Sequence, residues 1–193
     1  MTGFRILPGL PPYGPMAETF PPEAARRGIE GFVVEFEHEN ARWVGNFVGG
    51  WGGFTGVLAH PNGAAWLVVT GGDLWYVDPR TRQAEPAGSG VQAAWPVSEP
   101  EGYVFDRSGV AFCRIDAGGL RWQTRRLSWD GFRNVTLGVD TLRGEAYTPV
   151  DAEQMWHPFE VTLHTGESTG GAFAFYDDPT LPFEHLAPED GAA

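Results

Sequence analysis

The chain has 193 residues, of which 42% are hydrophobic, 13% aromatic and 20% charged, with 27 glycines, 16 prolines and a net charge of −12. That mix is too apolar for wholesale disorder, and a chain of this length hides roughly 70% of its unfolded surface. The acidic balance argues against nucleic acid or a membrane surface as the main partner, because both are themselves anionic.

Length sets one domain over 1–193 as the expectation: a proline-rich arm at 1–30, a β body at 31–175 and an acidic tail at 176–193. In the arm, the prolines between Leu10 and Pro15 demand extended or turned backbone. Residues 21–28 have room for one helical turn ending at Gly28. Phe4, Leu7, Leu10, Tyr13 and Phe20 are expected to pack the arm on the body.

From residue 31 the pattern is strand, tight turn, strand. Strands are predicted at 31–37 and 42–47 around a turn at 38–41, then at 54–59 and 64–70 around Asn62-Gly63. Gly71-Gly72-Asp73 leads into a strand at 74–78, followed by a turn at 79–82. Such turn residues between β-branched and aromatic runs are strong hairpin signals. The order then recurs: strands at 92–97, 103–106, 110–116 and 120–123. Val77-Asp78 and Ile115-Asp116 occupy matching places 38 residues apart. A looser third copy ends near Leu163, its extra length falling in a long loop at 148–158. Phe173 and Phe175 alternate as a last strand, and the tail after it carries five acids and no base.

The fold class read from this pattern is all-β, with antiparallel hairpin or blade-like repeats of about 40 residues. A small or incomplete β-propeller satisfies it, and a β-sandwich or barrel gives similar turn spacing.

Catalytic signatures are absent. The five histidines fall at no zinc-binding spacing. Glu35 and Glu37 share one strand face while His38 points to the other, so that cluster reads as a solvated hairpin. Cys113, the one cysteine, permits no intramolecular disulfide and reads as a buried small hydrophobe. There is no Gly-x-Ser-x-Gly elbow, and the glycine runs lack phosphate-binding spacing. No cofactor and no metal is expected. No stretch reaches 18 apolar residues and the N-terminus lacks an apolar signal core, which makes the cytoplasm the expected compartment.

The distinctive segment is 114–133. All 13 bases of the chain are arginine, and five of them (114, 121, 125, 126 and 133) lie here, interleaved with Trp122 and Trp129. Arginine and tryptophan are enriched at binding hot spots and stack on one another. Arg121, Arg125, Arg126, Trp129 and Asp130 are therefore the candidate partner- or ligand-binding residues. Alternatively, the arginines pair within the protein and the tryptophans fill its core. The function expected is a non-enzymatic protein-binding module that neutralises a basic partner, as an immunity-type protein does. The competing expectation is a small-ligand binder or enzyme with its site at this segment or at the 148–158 loop, using Asp151, Glu153, Trp156 and His157.

Several phrases, taken together, resemble an uncharacterised family of small bacterial proteins. They are Leu10-Pro11-Pro12-Tyr13-Gly14-Pro15-Met16-Ala17-Glu18, Glu30-Gly31-Phe32-Val33-Val34-Glu35-Phe36, Trp43-Val44-Gly45-Asn46-Phe47, the run from Gly119-Leu120-Arg121-Trp122 to Gly131, and Gly144-Glu145-Ala146-Tyr147. The resemblance implies a small bacterial protein without an assigned activity, and it supplies no catalytic residues.

Overall fold

The computed structural model describes residues 2–39, 41–50, 52–151 and 153–174, and the chain is all-β. The described residues form four four-stranded sheets. The first contains β1 (Thr2–Ile6), β2 (Glu18–Phe20), β3 (Phe32–His38) and β4 (Ala41–Phe47), in the order β1-β3-β4-β2. The second runs β5 (Gly56–Ala59), β6 (Trp66–Thr70), β7 (Asp73–Asp78), β8 (Gln83–Gly88) in chain order. The third and fourth are likewise sequential: β9 (Val91–Ser98), β10 (Glu101–Arg107), β11 (Ala111–Asp116), β12 (Gly119–Gln123), then β13 (Phe132–Leu137), β14 (Thr141–Tyr147), β15 (Trp156–Thr162), β16 (Ser168–Gly170). Strand β2 lies parallel to β4. One short helix, α1 (Pro22–Ala25), fills the place of the expected helical turn.

By contacts the chain forms two compact units, Met1–Arg107 with Ile115–Gly119, and Ser108–Arg114 with Leu120–Ala193. No helix among the described residues is long and apolar enough to cross a membrane.

In the first unit, alternation on β3, β4, β6 and β7 sends Val34, Phe36, Trp43, Phe47, Val68, Trp75 and Val77 into one core with Phe20. Phe36 stacks on Trp43 at 4.7 Å between centroids, and Phe20 on Phe47 at 5.3 Å. The Trp43 indole N–H donates to the Pro79 carbonyl at 3.1 Å, so the ring is buried without losing its polar partner. The proline-rich arm is part of the body rather than an appendage, since it supplies both edges of the first sheet. Buried Asn46 ties that arm down. Its Oδ1 accepts the Gly31 N–H at 2.8 Å, and its Nδ2 donates to the Ile29 carbonyl at 2.9 Å and to Thr19 Oγ1 at 3.3 Å.

In the second unit, Phe112 packs on Phe132 at 4.4 Å and on Phe159 at 5.3 Å. Leu127, Leu142, Val161 and Leu163 are buried with them. Ser128, fully buried, bridges the chain: its Oγ donates to the Gly131 carbonyl at 2.6 Å and accepts the Tyr147 N–H at 3.0 Å.

Three expectations are corrected. Strands β1, β2, β8, β13, β14 and β16 occupy segments for which no strand was named, β13 and β14 of them within the looser third copy. β8 and β13 are mostly exposed sheet edges that carry no hydrophobic alternation, which is why the sequence hides them. The long loop is shorter than 148–158, because β15 begins at Trp156. Phe173 lies in a turn rather than a strand: Gly170 and Gly171 both take positive φ, and the Ala174 N–H returns to the Gly171 carbonyl at 3.2 Å. Phe175 and the acidic tail at 176–193 lie outside the described residues.

Candidate functional site

The structure gives each arginine of the 114–133 segment a backbone acceptor or an acid. Arg114 is fully buried on β11 and donates to the Leu163 carbonyl at 2.6 Å, a group shared with the Trp122 indole N–H at 2.9 Å. On β12, Arg121 Nε donates to the His164 carbonyl at 3.3 Å. Arg125 reaches the Gly170 carbonyl at 3.4 Å. Arg126 curls back on its own turn, donating to the carbonyls of Ser128 and Trp129, both at 2.9 Å. Its guanidinium also stands 5.5 Å from the Trp129 ring and 5.3 Å from Phe173, which itself stacks on Trp129. Of the five candidates, Arg126 and Trp129 thus meet in one cluster, Arg121 and Arg125 each reach separate carbonyls, and Asp130 sits exposed at the turn.

Arg133 does something different. It forks onto Glu145 across the β13–β14 pair, at 2.9 and 3.1 Å, and covers the Trp156 ring at 4.4 Å. Arg133 and Asn134 together hold the Glu145 carboxyl below its usual range, the hydrogen bonds from Arg133 contributing most. Tyr147 and Trp156 face each other in register on β14 and β15, with ring centroids 5.2 Å apart. The loop beyond them closes through the Thr148 N–H on the Met155 carbonyl. Inside it, Asp151 accepts the N–H groups of Gln154 and Glu153 and lies 3.4 Å from His157 Nε2. The Gln154 N–H is the main reason the Asp151 carboxyl stays below its ordinary range. Of the loop residues flagged in the sequence, folding brings Asp151 and His157 together, and places Trp156 under Arg133.

The remaining candidates are structural. Glu35 pairs with Arg5 at 3.1 Å and Glu37 with Arg42 at 3.3 Å, on the outer face of the first sheet. Cys113 is buried. His60 is buried at the β5–β6 turn, where its Nδ1 accepts the Asn62 N–H, and desolvation lowers its pKa. Among the described residues, no three His, Cys, Asp or Glu side chains gather as a metal site.

One surface went unseen in the sequence. Leu10, Pro11, Met16, Ala17, Ala25 and Ile29 surround a pocket of about 290 Å³ whose floor includes Asn46. Met16 on its rim is 90% exposed and Leu10 40%, and Tyr13 between them in sequence is 89% exposed. The arm therefore docks through buried Phe20 rather than through Tyr13, which lies in the proline-rich turn beside Gly14 at φ +110° and stays exposed. The sequence signal was there: apolar residues inside a proline-rich run with no periodicity to bury them.

No family model, curated protein or solved structure matches the chain.

Proposed function

We propose that the chain is a non-enzymatic protein-binding module that engages a basic partner at this arm, in the manner of an immunity-type protein. The observation that carries the reading is the apolar pocket with Met16 almost fully exposed on its lining and Tyr13, three residues earlier, equally exposed. Aromatic and methionine side chains held out on a rigid segment are typical interface anchors. The first unit carries thirteen acids against seven arginines, and the 175–193 segment adds five acids and no base. That field attracts a lysine- or arginine-rich partner and speeds encounter. The partner inserts an apolar side chain into the pocket and lays basic residues along its acidic surroundings. Three sheets of four consecutive strands support a blade-like, propeller-type body as the scaffold. The cytoplasm is the compartment this reading assigns.

The test is an affinity capture of the tagged full chain from its host's lysate at 50 and 300 mM salt, with Tyr13→Ser and Met16→Glu alongside. A stoichiometric basic protein, retained by the wild type, weakened by salt and lost from both variants, supports the reading. Loss of an anchor residue of this kind costs about 1–2 kcal/mol, or roughly 5- to 30-fold in affinity. A captured partner indifferent to salt and to both substitutions overturns it, and so does no partner at either salt.

A further inference from the structure

Among the described residues, β1 is an edge strand of the first sheet with no strand paired to its outer side. The Leu7 N–H donates to the Val33 carbonyl at 2.9 Å, which fixes Leu7, Arg5 and Gly3 as the hydrogen-bonded pairs of the β1–β3 ladder. The N–H and C=O groups of Thr2, Phe4 and Ile6 consequently point away from β3, along the sheet edge. The edges at β8 and β9 are blunted by Pro86 and Pro96, and β13 by a break in register. β1 has neither proline nor a break in register, and its one charged residue is Arg5. On its core side, Phe4 and Ile6 continue the row of Phe36 and Val34 yet remain 39% and 52% exposed.

The opposite face of β1 carries the complement. A Cβ built on Gly3 would meet nothing within 4 Å. The strand is thus notched beside Glu37, in a recess of about 250 Å³ lined by Gly3, Phe4, Arg5, Glu35, Glu37 and Arg42. An added strand needs an apolar residue opposite Phe4 and a long basic residue opposite Gly3. With strands about 4.8 Å apart, such a side chain spans the notch to Glu37. β1 of a second copy, running antiparallel about a two-fold axis at Phe4, supplies both. Phe4 then faces Phe4, Arg5 of each copy faces Gly3 of the other, and Ile6 faces Thr2.

We infer that the protein self-associates through β1, as a two-fold dimer in which each copy's Arg5 crosses the Gly3 notch to the other's Glu37. Arg5 is 67% exposed, and in reaching the second copy it exchanges its 3.1 Å pair with Glu35 for the other copy's Glu37, where it joins Arg42 at 3.3 Å. About six backbone hydrogen bonds form across the axis. The contact is small, which places it in the weak class of interfaces. The inference stands apart from the partner reading, which uses Tyr13 and Met16.

Sedimentation equilibrium of the purified full chain from 10 µM to 1 mM tests it. A reversible monomer–dimer equilibrium is expected, with dimer dominant at the upper end. Amide exchange gives the register: protection of Phe4 and Ile6 rises with concentration, while that of Gly3 and Arg5 does not change. Phe4→Pro removes an outward donor that the β1–β3 ladder does not use, together with the ring that packs edge-on against Trp66 at 4.8 Å, and Arg5→Gln removes the crossing charge. Phe4→Pro is expected to weaken association at least tenfold and Arg5→Gln about two- to fivefold, the worth of an exposed ion pair. A monomer throughout the range overturns the inference. So does a dimer in which the Phe4 and Ile6 amides gain no protection, whether or not the variants fold.

Discussion

Asn46 joins three separate stretches of the first unit, and its removal has a calculable cost. The side chain is 1% exposed and satisfies the Gly31 N–H and the Ile29 carbonyl, with a longer contact to Thr19. Asn46→Ala leaves two backbone groups without their present partner, each costing about 1–3 kcal/mol. The expected loss is therefore about 2–6 kcal/mol, a large share of the 5–15 kcal/mol typical of a domain. Thr19→Val, which removes only the 3.3 Å contact, should cost under about 1 kcal/mol. Asn46→Asp keeps the acceptor for Gly31 but turns a carboxylate toward the Ile29 carbonyl, which raises its pKa in the fold. A raised pKa confers stability below the unfolded value of about 3.9 and loses it as pH rises. Asn46→Asp should accordingly lie nearest the wild type close to pH 4 and fall behind toward pH 7. Urea unfolding followed by tryptophan fluorescence measures the differences, and amide exchange at Gly31 localises them. A loss below about 0.5 kcal/mol for Asn46→Ala, with Gly31 exchange unchanged, refutes the argument that this amide anchors the arm.

Two further outcomes follow from single sites. Burial favours the neutral imidazole of His60 and lowers its pKa, so its stability contribution is complete above the unfolded value of about 6.5 and drains away as pH falls below it; His60→Gln should flatten that limb of the stability–pH curve, and an unchanged slope contradicts the assignment. Gly166 has φ +77°, and a Cβ built there lies 2.7 Å from the Trp122 ring. Gly166→Ala should cost roughly 1–3 kcal/mol and shift tryptophan emission, whereas Gly63→Ala, equally left-handed but with open space around it, should cost less; equal losses from the two would show that strain alone, not the indole contact, is at work.

The competition between readings of 114–133 is instructive about what residue type can convey. Arginine and tryptophan marked the segment as chemically unusual, but the acceptors of Arg114, Arg121 and Arg125 lie 43 to 49 residues away, on the turn after β15 and at the end of β16. Nothing local distinguishes a guanidinium aimed at solvent from one aimed at a distant carbonyl. The arm shows the reverse failure. Its prolines forecast extended backbone correctly, yet packing through Tyr13 and Leu10 was expected because apolar residues usually bury themselves, and here they stand outside.

By itself the sequence determined the all-β class and most of the hairpins, because alternation and turn chemistry are local. Asn62, for instance, caps its own turn by accepting the Ala64 and Ala65 N–H groups at 2.9 and 3.2 Å. Asp78 and Asp116 likewise close the turns that end β7 and β11 by accepting the Arg80 and Gly118 N–H groups. The tertiary structure alone decided the exposed edges, where no buried face imposes a period. It also decided the pocket, whose walls come from 10–11, 16–19, 25–29 and Asn46, and the outward backbone groups of Phe4 and Ile6 on β1, set by which side of the ladder pairs with β3. Each of these depends on contacts between residues far apart in the chain, whose pairing is chosen by burial of the whole and is written in no single stretch of it.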